Sequence, residues 1–368
     1  MLTPEQFDIL VDPFMALYEE FEISIIRDIA ARITKMGKPT STAAWQAQRL
    51  LESGSVFKNF IKELSILTGR SERLLAKQFR EAGVQSLAFD DEIYRLAGLK
   101  PLPLNQSPAM SQLLLAGIEK TNGVIRNLTL TTANSSQQLF IQSLDLAYMQ
   151  VTSGAMSYDQ AIRQAIKSVG TSGLKVFYPS GHVDKLDVAV RRAVLTGTGQ
   201  TTNKLQWIRA EQMGVDLVET SAHIGARPSH QIWQGKVFSR SGNDKRYPDF
   251  ISSTGYGTGQ GLGGYNCRHS YYPYFPGISE RVYSKATLDN ISRQSVKYNG
   301  KTLSVYDATQ IQRGIERKIR MWKRQQEAFD AAKLSNAFET RKVKQWQAKM
   351  RSFIKQTKLS RQYVREKV

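Results

Sequence analysis

The sequence predicts an α+β protein that is predominantly α-helical, and three observations carry that expectation. Apolar residues recur at three- and four-residue spacing through most of the first 170 positions. Between about 170 and 280 the pattern gives way to short apolar or alternating runs bounded by glycine and proline. The last 68 residues return to helical spacing, with cations between the apolar positions. The expected organisation is therefore an N-terminal helical bundle over 1–100, a helical connector over 101–169, a small mixed α/β domain over 170–285 and a basic helical arm over 286–368.

Thr3-Pro4-Glu5 reads as an N-cap, a proline at the first helical position and an acid in the first turn. Phe14, Leu17, Phe21, Ile25 and Ile29 then build one apolar face, which Gly37-Lys38-Pro39 closes. A second helix is expected through Trp45, Leu50 and Leu51, and a third through Phe57, Phe60, Ile61 and Leu64. A fourth carries Leu74, Leu75 and Phe79 before Gly83. Pro101 and Pro103 mark the first boundary, because proline offers no amide donor and disfavours helix before it. Helices resume over about 111–127 and 135–150. Ser157 with Gln160 forms a capping box ahead of the stripe Ala161, Ile162, Ala165, Ile166 and Val169.

At Gly170 the character changes. Leu174 to Tyr178 reads as a short strand ended by Pro179-Ser180-Gly181. A helix carrying Val188, Val190, Ala193 and Val194 extends to about Arg209, and Val215 to Thr220 alternates like a half-buried strand. Tyr271-Tyr272-Pro273-Tyr274 reads as extended chain. The segment beyond 280 is expected to be largely helical.

Composition excludes several classes. With 368 residues and 41% hydrophobic content the chain can bury a core, and two or three domains are expected. No apolar stretch approaches the ~18 residues of a membrane-spanning helix, and the acidic start is unlike a secretory signal. The single cysteine, Cys267, excludes an intramolecular disulfide framework and a four-cysteine zinc site. The net charge is +19, and residues 301–368 hold 18 Lys and Arg against 6 Asp and Glu. Positive charge gathered in this way attracts polyanions through counterion release.

The unusual residues gather in two loops, 220–235 and 255–277, which hold three of the four histidines and the only cysteine. A metal site is one reading, with His223, His230, Cys267 and His269 as tetrahedral nitrogen and sulfur ligands for zinc. A Cys267 thiolate paired with a histidine base is a second. The third is structural: Arg227, Trp233, Asn266 and Arg268 lock irregular loops into one shape, because a buried polar group left unpaired costs about 1–3 kcal/mol. Gly255, Gly257, Gly259, Gly261, Gly263 and Gly264 do not form a phosphate cradle, since no Lys-Ser/Thr pair follows them.

These loops carry a resemblance. SAHIGARPSHQIWQGKVF and GYGTGQGLGGYNCRHSYYPYFPGIS resemble the signature of tailed-bacteriophage minor capsid protein 2, a group of head-morphogenesis proteins distantly similar to the Mu F type. The match is dense over about 170–285 and looser over the helical N-terminal half. It ends in Cys-Arg-His, where Mu F relatives more often show Cys-Arg-Cys. The resemblance implies a structural minor head protein, incorporated with the portal and lying inside the capsid near the portal vertex. It implies no catalysis and no cofactor, with portal protein, major capsid protein and packaged double-stranded DNA as partners. Some relatives carry fused ADP-ribosyltransferase-like domains. Ser252-Ser253-Thr254 is similar to the STS element of those enzymes, but no Glu-x-Glu follows. The alternative is a metal-dependent hydrolase or nucleotide-handling enzyme using His223, His230, Cys267 and His269.

In the tail, Ile315, Ile319, Trp322, Gln326 and Phe329 line one helix face, and Trp346, Met350 and Phe353 continue a similar stripe. Arg317, Lys318, Arg320, Lys323, Arg324, Arg341, Lys342 and Lys344 are the candidate contacts to DNA of any sequence. A basic amphipathic helix also suits a membrane surface, but stable membrane association is not expected.

Overall fold

The computed structural model describes residues 2–37 and 41–368. Helix α1 (Pro4–Lys35) opens with reciprocal capping: the Gln6 amide donates to Thr3 Oγ1 at 3.3 Å and the Thr3 amide to Gln6 Oε1 at 2.8 Å. Its expected face, Phe14, Leu17, Phe21, Ile25 and Ile29, is buried. Lys38 and Pro39, expected to close the helix pattern, lie outside the described residues.

One helix, α2 (Thr42–Leu96), replaces the three expected over this stretch. Gly54, Gly69 and Gly83 lie inside it; each costs about 1 kcal/mol relative to alanine but forbids nothing. Buried Trp45, Val56, Phe60, Leu67, Leu75, Phe79, Leu87 and Tyr94 keep to one helical period along its length. Leu50, Leu51 and Ile61, read as core, are exposed. A single α3 (Pro108–Thr152) likewise replaces two helices. The polar run between the two expected helices satisfies itself inside the helix: Thr129 and Thr132 hydroxyls donate to the carbonyls of Ile125 and Leu128, and Ser136 to that of Ala133.

Helix α4 (Tyr158–Ser172) has the expected Ser157–Gln160 capping box, buries all five stripe residues and stops at Gly173, whose φ is 60°. Strands β1 (Lys175–Phe177) and β2 (Val183–Lys185) form a hairpin, followed by α5 (Leu186–Gln212). Then come β3 (Leu217–Thr220), α6 (Pro228–Gln231), β4 (Val237–Ser239), α7 (Phe250–Thr254) and β5 (Tyr271–Pro273). These three strands make an antiparallel sheet in the order β4-β3-β5, with Val218 opposite both Phe238 and Pro273. As the central strand, β3 is buried along its whole length rather than half-buried. Ser252-Ser253-Thr254 is helical, within α7.

After α8 (Lys285–Arg293), strands β6 (Ser295–Tyr298) and β7 (Lys301–Ser304) form a hairpin within the segment expected to be largely helical. Its turn is Asn299-Gly300, both at positive φ (49° and 76°), the two-residue turn that matches strand twist. Helices α9 (Val305–Ala331) and α10 (Ala337–Thr357) follow.

Two compact units result, each drawn from three separated stretches, so they cut across the segments read from composition. The first comprises the chain up to Phe14, Glu72–Val124 and Arg191–Thr309. Val218, Trp233, Phe238, Phe250, Leu262 and Tyr271 form its sheet-side core, with Trp207 and Tyr256 packed against them. In this unit α3 meets α5 through a reciprocal pair: a Cβ on Gly117 or Gly197 would stand 2.3 Å from Oγ1 of Thr201 or Thr121. The second unit comprises Met15–Ser71, Ile125–Val190 and Gln310–Val368. Phe21 and Phe60 meet edge-on at 5.2 Å within it, and Gly170 of α4 lies so close to α9 that a Cβ would be 2.6 Å from Gln325 Cα.

Candidate functional site

The two unusual loops converge in the first unit. His230 sits on the single turn of α6, which Pro228 starts, while Cys267 and His269 lie on the approach to β5. The pairing of β5 with β3 and of β3 with β4 brings the two loops together. His230, Cys267 and His269 are 2%, 3% and 2% exposed. Their ligand atoms form a triangle: His230 Nδ1 to His269 Nδ1 is 3.4 Å, Cys267 Sγ to His269 Nδ1 is 3.5 Å, and Cys267 Sγ to His230 Nδ1 is 3.8 Å. The Trp233 ring packs beside both imidazoles, with centroids 4.8 and 4.6 Å away.

The outer nitrogens fix both tautomers. His230 Nε2 lies 2.8 Å from the Gln260 carbonyl oxygen, which can only accept, so Nε2 carries the proton. His269 Nε2 lies 3.0 Å from Gln234 Oε1. That atom already accepts the His223 amide at 2.8 Å, which identifies it as the oxygen and makes His269 Nε2 a donor. Both Nδ1 atoms therefore present lone pairs to the centre of the triangle. Burial, and then the neighbouring imidazoles, holds His269 well below the usual histidine range, and burial also lowers His230 and His223. Burial raises the Cys267 thiol, against the opposing pull of the amide hydrogens of His269 and Gly263.

The other expected residues surround this centre. His223 stands beside it, its ring 4.3 Å from that of His269 and its Nδ1 3.1 Å from the Ile224 carbonyl oxygen. Arg227 is part-exposed and clamps the loops from outside, donating to the Tyr265 carbonyl at 2.5 Å and to Gln260 Oε1 at 3.4 Å. Asn266 is exposed at φ 54°, so it turns the chain and does not fill a polar core. Arg268 donates to Asp8 at 2.8 Å, and Asp8 also pairs with Arg191 at 2.7 Å. Gln234 and Gln260, which orient the histidines, carry no signal in the sequence.

A family model described as phage minor capsid protein 2 matches residues 2–355. The chain belongs to that family. It is 24% identical over 367 residues to a structural protein of Lactococcus phage LL-H, with 94% of each chain covered. A structural protein of Lactococcus phage mv4 is 32% identical over 131 residues, which is 33% of this chain and 93% of that protein. No solved structure matches. As a minor capsid protein 2 family member, the chain is a bacteriophage structural protein and a virion component. No described helix is long and apolar enough to cross a membrane.

In the family member's second unit, the tail cations divide into two groups. Arg324, expected to face DNA, is buried beside Glu22, with Nη1 3.4 Å from Glu22 Oε2. Arg320 pairs with Asp187 at 2.8 Å and donates to the Arg365 carbonyl. Lys323 is half-buried, and burial lowers its pKa. These three follow the apolar stripe of α9 inward, where Ile315, Ile319 and Phe329 are buried. Arg317, Lys318, Arg341 and Lys344 remain exposed, and Lys342 lies over the Trp322 and Phe338 rings. Sequence reasoning missed Arg351 and Lys355, which are also exposed on α10.

Proposed function

We propose that the chain is a minor head component placed inside the capsid near the portal vertex, where it holds portal or major capsid protein and contacts packaged DNA through α10. One observation carries the DNA reading. Arg341, Lys344, Arg351 and Lys355 are exposed and, at 3.6 residues per turn, fall within about 80° of the helix circumference. The only acid of α10, Glu339, is buried, so nothing negative on that helix interrupts the stripe. Such a row neutralises backbone phosphates without reading bases. Membership in a minor capsid family supports the place in the head. The burial of His230, Cys267 and His269 favours bracing of the two loops over turnover, so no enzymatic activity is proposed.

Fluorescence anisotropy of the full chain on short duplexes tests this. Binding is expected to ignore sequence and to fall linearly with salt on a log–log plot. Changing Arg341, Lys344, Arg351 and Lys355 together to Gln is expected to reduce the slope by about 3–4, one per lost phosphate contact. An unchanged slope in that variant, or discrimination between duplexes, would remove α10 from the DNA contact. Cross-linking in assembled heads would test the portal contact, and adducts confined to tail proteins would refute it.

A further inference from the structure

We propose that His230 Nδ1, Cys267 Sγ and His269 Nδ1 are three ligands of one tetrahedral divalent ion of the zinc class. The triangle has the dimensions of such a site. Metal–nitrogen bonds of about 2.0–2.1 Å and a metal–sulfur bond of about 2.3 Å at tetrahedral angles require about 3.4 Å between nitrogens and about 3.5–3.6 Å from nitrogen to sulfur. The structure has 3.4 Å between the nitrogens and 3.5 and 3.8 Å to the sulfur.

Proton counting excludes a closed hydrogen-bond network as the explanation of this geometry. Both imidazoles spend their protons outward, on the Gln260 carbonyl and Gln234 Oε1. The thiol holds one proton and can satisfy one Nδ1, which leaves the second buried lone pair facing the first at 3.4 Å. A divalent ion satisfies all three atoms at once. On binding, the Cys267 S–H bond gives its proton to solvent as the sulfur–metal bond forms, and no electron is transferred. Two features favour the thiolate that results: the His269 amide lies 3.4 Å from Sγ, and the Gly263 amide also donates to it. The outward bonds of both histidines are the oxygen contacts that orient metal-bound imidazoles. Nitrogen and thiolate donors together select zinc over magnesium or calcium. Three protein atoms fix one face of the tetrahedron and leave its fourth vertex to a further donor. The site cross-links the turn of α6 to the lead-in of β5.

The test uses the full chain, purified without chelator from zinc-supplemented growth and then exchanged with cobalt. Expected are about one zinc per chain, visible absorption of four-coordinate cobalt and a near-ultraviolet sulfur-to-cobalt band. Cys267→Ser should lose that band. His230→Ala and His269→Ala should lose stoichiometric metal, while His182→Ala, at an exposed histidine of the β1–β2 turn, should keep it. If the ligand variants fail to fold, the wild-type cobalt spectrum still decides. A folded wild-type chain that stays zinc-free and gives no sulfur-to-cobalt band would overturn the proposal, and so would a Cys267→Ser protein that keeps the band.

Discussion

Replacing Arg324 with alanine separates the two kinds of tail cation most sharply. Its side chain is 1% exposed and that of Glu22 5%. The guanidinium reaches Glu22 Oε2 and the Gly170 carbonyl, both at 3.4 Å, while Glu22 Oε1 accepts the Leu174 amide at 2.8 Å. Two hydrogen bonds of that length contribute little, about 1 kcal/mol or less each. The larger loss is the charge of Glu22 left in a buried site, which puts the cost of breaking such a pair at about 3–5 kcal/mol. Lys185 interacts electrostatically with Glu22 and remains after the substitution, so the lower end, about 3 kcal/mol, is expected. Urea unfolding of the full chain followed by circular dichroism measures it. The double variant Glu22→Gln/Arg324→Met, which keeps an acceptor for the Leu174 amide and removes both charges, should return to within about 1 kcal/mol of the parent. The salt slope of DNA binding should not move in either protein. A loss below about 1 kcal/mol for Arg324→Ala, or a shallower DNA slope, would refute the assignment of this arginine to the interior.

Lys185 should make stability depend on pH. Burial first, and then Arg324, lowers its pKa from 10.5 to about 8. The unfolded chain therefore binds the extra proton between those values, and this group's contribution to stability rises with pH across that window. Lys185→Met should be about 1–2 kcal/mol more stable than the parent at pH 7, after loss of its bond to the Thr171 carbonyl. The gap should shrink by pH 10, and an equal gap at both pH values in denaturant melts would refute the shift. Gly197→Ala should lose about 2–3 kcal/mol through its clash with Thr121, and Thr121→Ala in the same chain should recover much of it. Additive losses in that pair would show that the helices do not touch there. Phe250→Ala should cost about 3–5 kcal/mol, because the ring is wholly buried between Phe238 and Tyr271. A change within about 1 kcal/mol by thermal melt would count against that core.

Much of the helical architecture was legible because it rests on local periodicity. The α4 capping box, its five buried residues and the α1 cap were all written in spacing alone. Helix lengths were not. Glycine and hydroxyl runs weaken a helix locally without ending it, so α2 and α3 each continue through positions that resemble breaks. The β6–β7 hairpin did have a signal, Asn299-Gly300 between alternating residues, which the cationic helical pattern around it obscured. At the site, residue type located the loops, since three of the four histidines and the only cysteine lie in them, and the fold brings His230, Cys267 and His269 together. Roles within the loops depended on tertiary packing. Arg227 and Asn266 look like a polar centre in the sequence but lie at its edge, and the tautomer-setting Gln234 and Gln260 look like any other glutamines. The tail shows the same division: charge counts cannot tell Arg324, turned inward with the apolar stripe, from Arg341, turned outward.

The interleaving of the two compact units has a consequence for how the chain is made. Asp8 pairs with Arg191 and Arg268, and Glu22 meets Arg324 some 300 residues later. At about 5–20 residues per second, a ribosome needs on the order of 15–60 s to deliver that last partner after the first helix has emerged. Any surface that depends on the finished second unit, the exposed face of α10 included, therefore arises only after α9 has been made.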